Sequence, residues 1–285
     1  MITNSKTVIP LPAQNMFCSV PYEPGTEIVI PWNGVDFLEL PSGLSGRYRL
    51  GFAHSNRCVE AALELRYLVF NVELGEGLEE SHISGLDRDA YDAQMTHLVL
   101  IERASSKVVG TYRLQTARDA FRANGLYSSQ LFDLSPMSAI YDQLVECGRA
   151  CIDPDHRSLA AVVMLWQGIL HFVAAHRQRH IFGCCSITTT DPDDGWRAMK
   201  TIRKSGFLHH EYMLGARETC SCGENERENA TELDALLRLP RLFNSYMRLG
   251  ARVISRPAVD RRFGTVDFLV MADNQHLKLT SIKVE

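Results

Sequence analysis

The run Val145-Glu146-Cys147-Gly148-Arg149-Ala150-Cys151-Ile152 sets two ionisable side chains in an otherwise apolar stretch. A lone buried charge is costly, so Glu146 and Arg149 must be paired or must serve chemistry. A positioned carboxylate can take a proton, and a guanidinium beside it can hold developing negative charge. Strict strand alternation would put the two on opposite faces. Gly148 lies between them, and a glycine inside a strand often marks a bulge. A bulge there brings Glu146 and Arg149 to one side. Arg66 and Phe70 are four apart and share a helix face. The stretch Asp87-Arg88-Asp89-Ala90-Tyr91-Asp92 offers carboxylates, Asp89 and Asp92, for a buried Arg66. In Val108-Val109-Gly110-Thr111-Tyr112-Arg113-Leu114, Arg113 shares a strand face with Val109 and Thr111, so it sits at a sheet edge or pairs with an acid. Finally, Asp153-Pro154-Asp155-His156-Arg157-Ser158 leads into a helix, whose start offers free N–H groups and a positive dipole end to a phosphate. Taken singly, each feature fits an ordinary structural role.

The elements that must position these residues follow from periodicity and caps. Val59, Leu63, Arg66 and Phe70 recur at helical spacing, and Ser55 or Asn56 can cap a helix over about 56–71. An acidic, glycine-containing loop spans about 73–92. Two strands, from His97 and from Lys107, flank a short turn and form a hairpin. A strand from about Leu144 to Ile152 precedes a helix from about Leu159 to Arg177, with Ser158 as its cap. A buried strand follows at Ile181–Ile187. Asp191-Pro192 reads as an N-cap and first helical residue, with the helix ending near Gly206. Thr231 opens another helix, which Pro240 interrupts or restarts, and strands near 251–255 and 266–271 close the chain. Hairpins beside one crossover give an α/β (α+β) fold, a mixed central sheet flanked by helices. Residues 1–45, rich in Pro, Gly and short apolar pieces, read as an irregular extension with room for one or two strands, and 46–285 as one domain.

Composition narrows the function. The chain has 285 residues, 45% hydrophobic and 22% charged, ordinary values for a globular protein. No run approaches the roughly 18–20 apolar residues needed to cross a bilayer, and Met1–Gln14 lacks a secretory pattern. This places the protein in the cytoplasm or on the inner face of a membrane. Its eight cysteines fit buried thiols better than a disulfide framework. The net charge of −4 hides an asymmetry. Glu73–Asp92 carries seven acids against Arg88, and Leu236–Arg262 carries seven arginines against Asp260. An acidic mouth would suit a cationic substrate, and a basic stretch an acidic protein or an anionic membrane. No nucleic-acid motif is present. Cys220-Ser221-Cys222 near His209 and His210 lacks a second paired motif at zinc spacing, so no metal site is expected and the stretch reads as a mobile polar loop.

Together and in this order, Arg66…Phe70, Asp89…Asp92, Val109–Leu114, Glu146…Arg149 and Pro154…Arg157 resemble the ornithine-lipid N-acyltransferases, a group of GNAT-like proteins often labelled hemolysin-like. The same skeleton is similar to acyl-homoserine lactone synthases and long-chain N-acyl amino acid synthases. The resemblance runs from about 46 to 272. It includes Leu165-Trp166-Gln167-Gly168-Ile169, Thr190-Asp191-Pro192, Tyr246–Ala251 and Phe263-Gly264-Thr265-Val266-Asp267.

The resemblance implies a GNAT-like sheet and transfer of a fatty acyl group, often 3-hydroxyacyl, from acyl carrier protein to the α-amine of ornithine, giving a lyso-lipid. No cofactor is bound; the donor is the acyl-phosphopantetheine of the carrier. It further implies a charged network of Arg66, Asp89, Asp92, Arg113, Glu146 and Arg149. Within it Glu146 acts as base directly or through water, and a strand N–H near Gly148 meets the oxyanion. Phe70 packs beside the acyl path, and Arg157 and Ser158 hold the phosphopantetheine phosphate. Asp89 and Asp92 either pair with Arg66 or bind the acceptor's cationic side chain. The stretch Pro154–Ala160 has no glycine, unlike the coenzyme A loops of ordinary GNAT acetyltransferases, which fits a carrier presenting one phosphate. Readings that remain open are a different amino-acid acceptor, a non-enzymatic membrane-active protein, and peripheral contact with the inner membrane.

Overall fold

Val108–Thr116 is buried at every position, and the sheet is built outward from it. The computed structural model describes residues 32–39, 46–223 and 237–277. Its strands are β1 (Val35–Phe37), β2 (Tyr48–Ala53), β3 (Thr96–Glu102), β4 (Val108–Thr116), β5 (Leu144–Ile152), β6 (His180–Ile187), β7 (Arg252–Val253), β8 (Ala258–Asp260) and β9 (Thr265–Asp273). They form one sheet in the order β1-β2-β3-β4-β5-β6-β9-β7, with β8 also on β9. Every pairing is antiparallel except β5 with β6. That parallel pair needs a crossover, which the chain makes through α4 (Leu159–Ala175).

The two faces of the sheet follow from alternation along the strands. Val99 and Ile101 pack with Ala61, Ala62 and Leu65 of α1 (Asn56–Tyr67). Leu98 and Leu100 point the other way, onto Met164, Leu165 and Ile169 of α4. The same face carries Trp196, Met199 and Ile202 of α5 (Pro192–Lys204), and Phe243 and Met247 of α6 (Arg241–Leu249). Short helices α2 (Ser81–Ser84) and α3 (Ala117–Ala120) complete the set. The mixed sheet flanked by helices is therefore as the sequence implied.

Caps agree with the sequence reading at Ser55, Ser158 and Asp191, each accepting a backbone N–H from the first turn. Four local expectations need correction or completion. The first helix ends at Tyr67, and Leu68–Glu73 continues as a π-helical turn. Such turns are rare and invisible to a 3.6-residue pattern. Pro240 restarts the helix as α6, standing at its N-cap, and the helix expected from Thr231 falls outside the described residues. The expected strand at 251–255 is only Arg252–Val253, and β8 was not anticipated. The cysteine stretch is not a polar loop. Ser221 bridges to Ala258, and Cys222 is buried with its carbonyl accepting from Trp196 Nε1 at 3.1 Å. A strand allowed for in the irregular extension is present, Val35–Phe37, at the sheet edge.

Candidate active site

The parallel pairing of β5 and β6 runs through Leu144↔His180, Val145↔Ile181 and Glu146↔Phe182 and goes no further. Beyond Glu146, β5 stays paired with β4 while β6 stays paired with β9, so the sheet splits. Gly183 sits at the fork. A Cβ there would lie 2.0 Å from the Cys147 carbonyl oxygen, so only glycine permits this approach.

On its other edge β5 carries the expected bulge. Thr111 pairs with Cys151 and Arg113 with Gly148, so Arg149 and Ala150 together face Tyr112. The left-handed residue is Arg149 itself, φ +50°, rather than Gly148. A non-glycine residue held there costs roughly 1–3 kcal/mol and persists only where its surroundings fix it. Those surroundings are carboxylates and rings. The Arg149 guanidinium lies 4.0 Å from the centre of the Phe263 ring, and its Nη2 donates to Asp89 at 3.3 Å.

Arg149 belongs to a closed ring of alternating charge. Arg66 donates to Asp87 at 2.7 Å and to Asp92 at 2.7 Å. Arg113 donates to Asp92 at 2.9 Å and to Asp89 at 2.6 Å. Arg149 meets Asp89 and returns to Asp87, with Nε 3.1 Å from Oδ2 but not aligned for a hydrogen bond. All six side chains are buried. Burial alone would lower Arg66, but Asp87 and Asp92 hold its pKa above the ordinary value. Burial would raise Asp92, and Arg66 and Arg113 overcome it, holding the carboxyl far below the usual range. Asp89 and Asp92 are thus committed to arginines. Asp87, the third acid, was not singled out from the sequence, although its spacing from Asp89 was visible.

Glu146 is equally committed. Its carboxylate accepts from Gln115 Nε2 at 2.7 Å, Tyr127 N at 2.9 Å, Ser128 N at 2.7 Å and Ser128 Oγ at 2.6 Å. A carboxylate has about four acceptor positions, and four donors occupy them. Nothing in the sequence marked Ser128.

The fork encloses a cavity of about 240 Å³. Phe70, Arg113, Ser128, Glu146 and Arg149 line it, together with Glu76 and Asp267. A second space of about 60 Å³ adjoins it through Cys147–Ala150, Cys184 and Tyr246, and is walled by Trp166, Ile169 and Ile181. One end of this combined space is charged and the other apolar. Burial pushes the Glu76 and Asp267 carboxyls each up to about 7. Glu76 lay within the acidic loop and Asp267 within a quoted motif, but neither carried a role.

Arg157 and Ser158 do not line this cavity. Arg157 makes a double hydrogen bond to Glu73, 2.6 Å at each contact, and Ser158 caps α4. The sequence-predicted residues therefore divide into a cavity group (Phe70, Arg113, Glu146, Arg149), a supporting group (Arg66, Asp89, Asp92) and a remote pair. Among the described residues no helix is long and apolar enough to cross a membrane.

Residues 65–167 match the acetyltransferase (GNAT) domain family. The chain is 32% identical over 240 residues to an L-ornithine N(alpha)-acyltransferase of Rhodobacter capsulatus, spanning 80% of this chain and 90% of that one. It is 31% identical over 245 residues to an L-ornithine N(alpha)-acyltransferase of Agrobacterium fabrum, spanning 80% and 82%. Among solved structures, an N-acyl amino acid synthase from uncultured soil microbes covers 84% of this chain and 96% of its own at 11% identity, with a TM-score of 0.49. The family match and the two curated relatives make the protein an acyltransferase, and the chain belongs to the L-ornithine N(alpha)-acyltransferase family, with a GNAT domain.

Proposed function

We propose that this protein transfers a fatty acyl group, of the 3-hydroxyacyl kind, from acyl carrier protein to the α-amine of ornithine, producing lyso-ornithine lipid. The observation that carries the reading is the cavity at the β5–β6 fork, apolar toward Trp166 and Ile169 and charged toward Arg149 and Glu146. A thioester lying along the open edge of β5 would extend its acyl chain into the apolar end. A backbone N–H of β5 beyond Glu146, where pairing with β6 has ended, would meet the carbonyl oxygen as negative charge develops there.

In the step itself the amine nitrogen forms a bond to the thioester carbon and the carbon–sulfur bond breaks. The ammonium loses one proton before attack, and after attack the nitrogen gives up a second, which the leaving thiolate takes to become a thiol. Glu146 has no vacant acceptor position for a direct role, so its proton passes through a bridging group. Ser128 Oγ lines the cavity and donates to Glu146 at 2.6 Å. It would take the amine proton as its own proton moves to Glu146. Arg113 and Arg149 hold the strands on either side of the bulge and tie them into the charged ring beneath the reacting end of the cavity. Phe70 flanks the acyl path, and Arg157 and Ser158 at the start of α4 would receive the carrier's phosphate once Glu73 gives way. The protein would work in the cytoplasm, in peripheral contact with the inner membrane that receives its product.

The test is lipid mass spectrometry of a host without ornithine lipids that expresses this chain. A new mass matching 3-hydroxyacyl-ornithine is expected. A different N-acyl amino acid would move the acceptor, and no new lipid from folded protein would overturn the reading.

A further inference from the structure

Seven acids crowd Glu73–Asp92, yet those that reach deepest, Asp87, Asp89 and Asp92, are neutralised by Arg66, Arg113 and Arg149. They leave no charge for a cationic substrate. Two other carboxylates line the same cavity without a cation in contact. Glu76 is only 9% exposed, and its Oε2 is buried without a hydrogen-bond partner. Asp267 is 3% exposed and accepts from Ser186 Oγ, and from Thr265 Oγ1 at 3.4 Å. Hydroxyls accompany both, because Ser186 and Thr188 line the same cavity, Thr188 close enough to Glu76 to favour its charged form.

This wall is rigid. Glu76 N donates to Phe70 O at 2.9 Å, and Gly77 N to Phe263 O at 2.7 Å. Those bonds clamp the acidic loop to the π-helical turn on one side and to the turn before β9 on the other. Asp267 lies within β9, paired with Ser186 of β6. The two carboxylates therefore come from distant segments onto one cavity wall. An unpaired buried carboxylate is a standing cost to a fold, and a bound cation removes it.

We propose that Glu76 and Asp267, with the Ser186 and Thr188 hydroxyls, form the pocket for the acceptor's side-chain ammonium. This rests on the acyl-transfer reading given above and deepens it. It makes the protein selective for a diamino acid over a monoamino acid of equal length. With the terminal ammonium seated between Glu76 and Asp267, the acceptor's other amine is free to face Ser128 and the bulge. Arg149 lines the same cavity and is already paired with Asp87 and Asp89, so its field only partly offsets these two carboxylates.

The test compares L-ornithine with L-norvaline, which has the same carbon chain and no terminal amine. Initial rates are measured with the full-length chain and a 3-hydroxyacyl-carrier-protein donor. A site built around a polar group rejects the analogue lacking it strongly, so wild type should favour ornithine by roughly 10²-fold or more in kcat/KM. Glu76→Gln should cut that preference at least about tenfold, mainly by raising KM for ornithine. Asp267→Asn should do the same, and circular dichroism of both variants reports folding. Unchanged preference in a folded, active Glu76→Gln variant overturns the proposal while leaving ornithine acylation standing. So does an equal fall in kcat for both amines, which would mark a proton-transfer role instead. A wild-type chain that acylates neither amine overturns the underlying reading as well.

Discussion

Ser128 gives both of its donors to one oxygen of Glu146, the backbone N–H at 2.7 Å and the hydroxyl at 2.6 Å. The backbone bond fixes where the hydroxyl stands, so removing the hydroxyl leaves the turn in place. Ser128→Ala should cost about 1 kcal/mol of stability and lower kcat by about 10²-fold, within the range for a proton-transfer group. KM for the amine should change little. Steady-state kinetics beside urea unfolding would check this, and an unchanged kcat would remove Ser128 from the proton path.

Asp92 accepts from Arg66 and from Arg113 in a buried setting. Asp92→Asn leaves both guanidiniums short of charge, and breaking such a buried pair costs about 3–5 kcal/mol. Its carboxyl is held below the ordinary value. The stability it contributes is therefore present above about pH 4 and lost as pH falls below that. Urea unfolding from pH 7 downward should show the variant less stable at pH 7, with the gap narrowing in acid.

Glu76 and Asp267 run the opposite way. Their carboxyls are raised to about 7, so between about pH 4 and pH 7 the native state holds protons that the unfolded chain has released. Stability therefore falls as pH rises through that window and levels off above it. Glu76→Gln removes one of the two groups, so its melting temperature should gain on wild type from pH 5 to pH 8. Parallel melting curves for the two proteins would contradict this.

Gly183→Ala places a methyl against the Cys147 carbonyl, 2.0 Å from it before relaxation. Overpacking of this kind costs about 1–3 kcal/mol, and relief requires β5 and β6 to move apart at the fork. A lower melting temperature is expected, with a fall in kcat/KM that depends on acyl chain length. Rates with short and long acyl donors would reveal it.

Periodicity and caps carried most of the fold. Ser55, Ser158 and Asp191 mark their helices because capping is local chemistry, and the β3–β4 hairpin shows in its two apolar runs. The π-helical turn after Tyr67 does not, since one widened turn leaves no mark in a 3.6-residue pattern. Within the site, Arg66, Arg113, Glu146 and Arg149 were legible as charges stranded in apolar runs. Their partners were legible only in part. Asp89 and Asp92 lie where the acidic loop suggested, whereas Ser128 sits in the 3₁₀ turn Tyr127–Gln130 before β5, with no pattern around it. Glu76 was hidden among seven acids alike in sequence, and what sets it apart is burial without an arginine partner, beside Phe263 and β9 far along the chain.

The ring of Arg66, Asp92, Arg113, Asp89, Arg149 and Asp87 holds three charges of each sign. Losing any one leaves a surplus in a place water does not reach, so no single replacement restores neutrality and a compensated change takes two residues together. Mutational drift is thereby blocked one step at a time at these positions. Glu76 and Asp267 make no ion pair within that ring, so the choice of acceptor is free to change while the frame beneath the reaction stays fixed.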